Sequence, residues 1–149
     1  MANEIDIILR IQMAKILIID DDDAIRGVLE QMLAMSGHAV TVAADGFEGM
    51  QLYRADPPDL VIMDMLMPHS GLAAIRVLRS QFPDVRVIAM SGGGSRKLGY
   101  ARELGACCTL TKPFSPQQLA DAVAEALAYS PEKRVSSNSP FKPQGASGA

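Results

Sequence analysis

The fold is indicated most directly by residues 14–26, which read AKILIIDDDDAIR. In this stretch four consecutive aliphatic residues, 16–19, lead straight into four consecutive aspartates, 20–23. A short and continuously apolar run is typical of a strand that is covered on both faces, as the strands of a parallel sheet are. We therefore predict a buried strand that ends in carboxylates, with the later aspartates at the start of a helix.

The chain continues with the same alternation of short apolar runs and stretches of helical period. Further apolar runs lie at residues 39–43, 60–63, 85–90 and 107–110. After the first run, apolar residues recur at the spacing of one face of a helix: Ile25, Val28, Leu29, Met32 and Leu33. The last helix is predicted to begin at Ser115, because Pro116 and Gln118 follow it at the positions of a capping box. Five strand–helix pairs predict an α/β fold: a five-stranded parallel sheet with helices on both faces.

Composition excludes several classes of protein. The chain has 149 residues with 48% hydrophobic and 21% charged residues, which fits one globular domain plus tails and excludes a disordered or collagen-like chain. Its formal net charge is -3, so we expect no direct contact with nucleic acid. No apolar run approaches the roughly 18 residues of a membrane span, so we expect no membrane insertion. Two adjacent cysteines form no disulfide framework, and the chain is predicted to be cytoplasmic.

The domain itself is predicted to cover residues 13–129. Residues 1–12 are expected to be an N-terminal extension, with Met13 as an alternative natural start. Residues 130–149 contain five serines and three prolines with little to bury, so we expect a flexible C-terminal tail. We expect no DNA-binding or catalytic domain after it. The domain is therefore expected to be of the single-domain type and to act by binding a partner protein.

Polar residues stand where four of the predicted strands end. These residues are Asp20 and Asp21, then Asp64, Ser91 and Lys112. In an open α/β sheet, ligands bind outside the carboxyl ends of the strands, and neighbouring strands lie only about 5 Å apart. Converging carboxylates stay ionised only where cations compensate them, and oxygen ligands without His or Cys favour Mg²⁺. An aspartate beside such an ion can attack phosphorus, so the pattern indicates phosphoryl transfer.

Four motifs together resemble the receiver domain of two-component response regulators, over residues 14–129. The motifs are ILIIDDDDAIR, LVIMDMLMP, VIAMSG and GACCTLTKPF. The resemblance implies a flavodoxin-like, doubly wound (βα)5 fold with strand order 2-1-3-4-5, an order that periodicity alone does not reveal.

The resemblance also implies a role for each polar residue of the strand ends. Asp64 would be the phosphoacceptor, while Ser91 and Lys112 would contact the phosphoryl group. Mg²⁺ would be held by the carboxylates of Asp20, Asp21 and Asp64 and by the main-chain carbonyl of Leu66.

The function implied is that of a response regulator receiver. It would take a phosphoryl group from a sensor histidine kinase or a His-phosphotransfer protein and signal by phosphorylation-dependent binding to an unidentified downstream protein. It would catalyse only its own phosphorylation and dephosphorylation, and so would not be an enzyme in the usual sense.

Two other hypotheses stay open at this point. The first is a metal-dependent phosphatase with an aspartyl nucleophile. Dehalogenase-like phosphatases of this kind carry a second aspartate two positions after the nucleophile, and this chain has Leu66 there. The second is a receiver-like interaction module that works without phosphate. It is motivated by Thr109, where many receivers have an aromatic residue, and by a loop over residues 68–71 that is one residue shorter than usual.

Overall fold

The computed structural model describes residues 13–65, 71–92 and 95–129, apart from the side chains of residues 71–72 and 95–97. Strands and helices alternate through this part of the chain. In chain order they are β1 (Lys15–Ile19), α1 (Asp23–Met35), β2 (Ala39–Ala43), α2 (Gly46–Ala55), β3 (Leu60–Asp64), α3 (Gly71–Gln81), β4 (Val87–Ser91), α4 (Ser95–Glu103), β5 (Cys108–Thr111) and α5 (Pro116–Ala128). The five strand–helix pairs predicted from the sequence are all present.

The five strands form one parallel sheet in the order β2-β1-β3-β4-β5. This is the α/β, flavodoxin-like arrangement expected, and the prediction of fold class is confirmed. Both β3 and β4 are buried along their whole length, because they lie inside the sheet and are covered on both faces. In contrast, β2 lies at the edge of the sheet and alternates between more and less exposed residues.

Two apolar layers cover the sheet, one on each face. Successive residues of a strand point to opposite faces, so Leu17 and Ile19 join one layer while Ile16 and Ile18 join the other. The first layer is completed by α2, α3 and α4, and the second by α1 and α5. The helices thus cover the two faces of the sheet, and all five strands end on the same side of it, here called its carboxyl edge.

Local signals for the helix starts are confirmed by the hydrogen bonds. The side chain of Asp22 caps α1 by accepting from the main-chain N–H groups of Ala24 and Ile25. Ser115 and Gln118 form the predicted capping box of α5, with proline at the first helical position. These features depend on residues only a few positions apart, which explains why the sequence reveals them.

Some predicted details differ in the structure. Val28 was expected on the inner stripe of α1, yet it is 56% exposed, because the stripe that meets the sheet is narrower and consists mainly of Leu29 and Leu33. The predicted fourth strand begins two residues late, at Val87, because Val85 N–H instead donates to the carbonyl of Phe82 in a turn.

Within the described residues, no helix combines the length and the apolar character that crossing a bilayer requires. Residues 1–12 and 130–149 lie outside the described part of the chain, so the extension and the tail stay predictions.

Candidate functional site

The carboxyl edge of the sheet gathers the polar residues that the sequence placed at strand ends. Asp64 and Ser91 are the last residues of β3 and β4, and Asp20 and Lys112 directly follow β1 and β5. Because these four strands are neighbours in the sheet, their ends meet at one edge. Asp20, Asp64 and Ser91 are all buried, with at most 4% of each residue exposed. Buried polar side chains at the end of an apolar sheet indicate a site and not a structural core.

Three carboxylates form a tight cluster at this edge. One oxygen each from Asp20, Asp21 and Asp64 can be chosen such that all three lie within 4.8 Å of one another. Asp21 is exposed while its two companions are buried, so the cluster opens toward solvent on one side. A hard cation with oxygen ligands suits this donor set, and Mg²⁺ typically takes one or two carboxylates and keeps several waters. The residues present thus fit the predicted magnesium ion.

Lys112 joins two of these carboxylates. Its ammonium nitrogen lies 3.0 Å from Oδ2 of Asp20 and 3.4 Å from Oδ2 of Asp64. Its side chain is only 17% exposed, so the contacts are largely shielded from water. One ammonium opposite three carboxylates leaves most of the negative charge of the cluster uncompensated, which favours binding of a further cation.

Asp20 is held at the centre of the cluster by several contacts. Its Oδ1 accepts a hydrogen bond of 2.9 Å from the main-chain N–H of Asp22, and its Oδ2 accepts from Lys112. Burial raises the pKa of Asp20, and the hydrogen bonds from Asp22 and Lys112 oppose this effect. Burial therefore disfavours the charged form of Asp20, and a bound cation would favour that form.

The main chain of Ser91 links β4 to the residue that follows β5. Its carbonyl accepts a hydrogen bond of 3.0 Å from the main-chain N–H of Lys112, and its partner in the register of β5 is Thr111. The peptide bond between Lys112 and Pro113 is cis. The ladder between β4 and β5 thus places the hydroxyl-bearing residue next to the lysine.

Two of the predicted features cannot be located. Leu66, the expected carbonyl ligand, lies outside the described residues, and so does most of the shortened loop before α3. Thr109 is described: it is half-buried, and its hydroxyl accepts a hydrogen bond of 3.1 Å from the guanidinium of Arg102 on α4.

Sequence reasoning missed one residue of this edge, Arg26. From the second turn of α1 its guanidinium donates a hydrogen bond of 2.6 Å to the main-chain carbonyl of Asp20 and also contacts the carboxylate of Asp23. In the sequence Arg26 reads as an ordinary helix residue beside an apolar stripe, and only the proximity to the aspartate run hints at a contact.

Known proteins share both the sequence pattern and the fold. The family model of the response regulator receiver domain matches residues 16–124, a range that includes the three carboxylates, Ser91 and Lys112. A response regulator receiver domain protein from Clostridium thermocellum has a TM-score of 0.72 at 32% identity, covering 82% of this chain and 98% of that one. The chemotaxis response regulator CheY4 of Vibrio cholerae has a TM-score of 0.70 at 29% identity, covering 76% and 98%.

Among curated relatives, the probable transcriptional regulator ycf27 of Porphyridium aerugineum is 38% identical over 119 residues. The alkaline phosphatase synthesis transcriptional regulatory protein PhoP of Bacillus subtilis is 36% identical over 109 residues. These matches cover 78% and 70% of this chain but only 49% and 45% of the two relatives. The chain therefore corresponds to about half the length of these proteins.

Proposed function

The chain belongs to the response regulator receiver domain family, and from this we propose that it accepts a phosphoryl group on Asp64 in the presence of Mg²⁺. The donor would be a phosphohistidine of a sensor histidine kinase or of a His-phosphotransfer protein. The observation that supports this most strongly is the meeting of three carboxylates and the ammonium of Lys112 at one edge of the sheet.

The proposed reaction is a transfer between two side chains. A carboxylate oxygen of Asp64 attacks the phosphorus, the bond from phosphorus to the imidazole nitrogen breaks, and the histidine leaves with the electron pair of that bond. When bound by Asp20, Asp21, Asp64 and the main-chain carbonyl of Leu66, Mg²⁺ would neutralise charge on the transferring phosphoryl oxygens. The chain would catalyse only this step and the later hydrolysis of its own acyl phosphate.

Lys112 is suited to contact the phosphoryl group once it is on Asp64. Its ammonium already lies between Asp20 and Asp64, so a small movement would let it donate to an oxygen of the new phosphoryl group. The hydroxyl of Ser91, at the neighbouring strand end, would donate to another oxygen. Drawing these two residues toward the phosphate would change the segment that follows β4, which begins with Gly92.

The output of this change would be binding to another protein surface. The two curated relatives, ycf27 and PhoP, are transcriptional regulators by their names, and this chain corresponds to about half of each. Because its net charge is -3, we propose that the chain does not itself contact DNA and that any effect on transcription passes through a protein surface. A histidine kinase as donor would place the chain in the cytoplasm.

The experiment is phosphorylation by a small phosphodonor such as acetyl phosphate, followed by mass spectrometry. We expect one added phosphoryl group on the peptide that contains Asp64, sensitive to hydroxylamine as acyl phosphates are. Excess chelator should prevent its formation. A phosphoryl group on another residue, or one that forms equally well in chelator, would contradict the proposal.

Two other outcomes would support the alternative functions. Sustained hydrolysis of a generic phosphate ester would support an aspartyl-nucleophile phosphatase. A partner that binds the phosphorylated and unmodified protein equally well would support an interaction module that works without phosphate.

A further inference from the structure

Arg26 connects the first turns of α1 to the loop that carries the acidic cluster. Its Nη1 donates a hydrogen bond of 2.6 Å to the main-chain carbonyl of Asp20, and its Nη2 contacts the carboxylate of Asp23. The arginine side chain is only 16% exposed, whereas the aspartate side chain is 91% exposed. The better shielded of the two contacts is therefore the one to the main chain of Asp20.

Every polar group of Asp20 has a partner, and Arg26 supplies the last one. The main-chain N–H donates to the carbonyl of Ala43 at 3.1 Å, which continues the ladder between β1 and β2. The two carboxylate oxygens accept from Asp22 and Lys112. The carbonyl accepts from Arg26. That carbonyl belongs to the peptide bond between Asp20 and Asp21, so Arg26 holds the peptide that links two members of the cluster.

The position of the Arg26 guanidinium is not explained by helix α1 alone. Near the amino end of a helix the macrodipole favours negative groups, and it gives no stabilisation to the guanidinium of Arg26, four residues after the cap Asp22. A positive charge close to a cation site also opposes binding of the cation by simple repulsion. Attraction to Asp23 offsets these two effects, but that carboxylate is exposed and explains only one arm of the guanidinium. The shielded contact of the other arm with the Asp20 carbonyl points to a geometric role.

We propose that Arg26 is a positioning residue for the magnesium site: by holding the Asp20–Asp21 peptide it keeps the two carboxylates directed at one point. The inference rests on the proposed function only in assuming that the acidic cluster binds Mg²⁺. Groups that orient metal ligands from outside the coordination sphere typically contribute about 10-fold to 100-fold to metal affinity.

The geometric role and simple repulsion predict changes of opposite sign, which makes the test decisive. The experiment is titration of the metal-free full chain with MgCl₂ alone, followed by isothermal calorimetry, for Arg26→Gln and Arg26→Lys. If Arg26 positions the peptide, both variants bind Mg²⁺ about 10-fold more weakly, because neither side chain reproduces the two-armed contact. If Arg26 acts only through its charge, Arg26→Gln binds more tightly and Arg26→Lys is unchanged, which would overturn the proposal.

Asp23→Asn and Arg54→Gln serve as matched controls. Asp23→Asn removes the exposed partner of Arg26 and one negative charge, so any weakening of Mg²⁺ binding should disappear at 1 M salt, where the screening length is about 3 Å. The loss in the Arg26 variants should persist there. Arg54→Gln removes an arginine that contacts Gln81 on the other layer of helices, and it should leave Mg²⁺ affinity unchanged. A loss in Arg54→Gln equal to that in Arg26→Gln would contradict a specific role for Arg26.

Thermal unfolding in chelator and in Mg²⁺ separates positioning from simple destabilisation. The Arg26 variants should gain less stability from Mg²⁺ than the parent chain, whatever their stability in chelator. An equal gain in all variants would refute the inference. If the parent chain binds Mg²⁺ and the Arg26 variants bind it weakly while no variant is phosphorylated, the proposed function fails and the positioning role stands.

Discussion

At the amino edge of the sheet the ammonium of Lys15 lies 2.9 Å from Asp56, and at the carboxyl edge that of Lys112 lies 3.0 Å from Asp20. The two ion pairs have nearly the same length but different surroundings. The side chains of the first pair are 56% and 69% exposed, and those of the second are 17% and 0% exposed. The sheet thus buries charge at one edge and leaves it in water at the other.

The pKa shifts at the two edges show what this difference does. The hydrogen bond and charge of Asp56 raise the pKa of Lys15, so the exposed pair favours the charged form of the lysine. Burial raises the pKa of Asp20 in spite of the hydrogen bond from Lys112, so the charged form of this aspartate is disfavoured. Water solvates the charges at the amino edge, whereas at the carboxyl edge burial disfavours the charge of Asp20. The contact distance alone therefore does not distinguish the two edges, whereas the burial of the charged groups does.

The largest expected difference between the edges concerns phosphorylation. Asp64→Asn should reduce incorporation from a small phosphodonor by roughly 100-fold or more, because a carboxamide oxygen is a poor nucleophile. Asp59→Asn should be phosphorylated like the parent chain, since this aspartate precedes β3 at the amino edge and its side chain accepts from the main-chain N–H of Lys15. Intact-protein mass spectrometry measures both. Equal loss in the two variants would show that the edges do not differ in this chemistry.

The second largest difference between the edges concerns the stabilisation of the folded chain by Mg²⁺. At 100 times its dissociation constant the ion should stabilise the parent chain by about 2.7 kcal/mol. Asp20→Asn should lose most of this gain, because it removes a charged ligand of the cluster. Asp56→Asn should keep it. The measurement is urea unfolding with Mg²⁺ and with chelator, and a full Mg²⁺ effect in Asp20→Asn would place the ion elsewhere.

The two lysines allow a direct comparison of the pairs. In chelator at pH 7, Lys112→Met should lower the free energy of unfolding by about 2 to 3 kcal/mol, because buried Asp20 loses a compensating charge. This is less than for a fully buried pair, since the Lys112 side chain is 17% exposed. Lys15→Met should cost less than about 1 kcal/mol, as expected for an exposed pair. Denaturant unfolding provides both values. Similar losses in the two variants would mean that the burial of an ion pair does not change its contribution to the free energy of unfolding.

The smallest effect is expected for His38 at the amino edge. The main-chain N–H of Ala14 donates to its Nδ1 at 3.1 Å, and burial lowers the pKa of the imidazole from its usual 6.5. Its neutral form is thus favoured in the folded chain, and this contribution to stability is complete above pH 6.5 and lost as the pH falls below it. The loss should be smaller than the roughly 1 kcal/mol of a neutral hydrogen bond.

His38→Asn provides the check, because its carboxamide oxygen can accept the same hydrogen bond without titrating. Between pH 7.5 and 5.5 the parent chain should lose slightly more stability than the variant, as measured by urea unfolding. Parallel pH profiles would show that His38 does not contribute to the pH dependence.

Local features of the chain proved readable from the sequence. The apolar runs predicted the strands, and Asp22 and Ser115 were placed correctly at helix starts. The meeting of the polar residues at one edge was also readable, because they directly follow or end buried strands and parallel strands all end at the same edge. The strand order itself came from the resemblance to receiver domains, since periodicity carries no information about which strands are neighbours.

What the sequence by itself determined is therefore the set of elements and the residue types at their ends. The tertiary structure decided which of these residues are buried and which contact one another. Asp20 and Asp21 are chemically identical neighbours in the chain, yet one is buried and the other exposed. Lys112 reaches Asp20 across 92 positions of sequence, and Arg26 holds the same residue from α1. The burial of a polar side chain depends on which elements pack together, and no local pattern of residues records that.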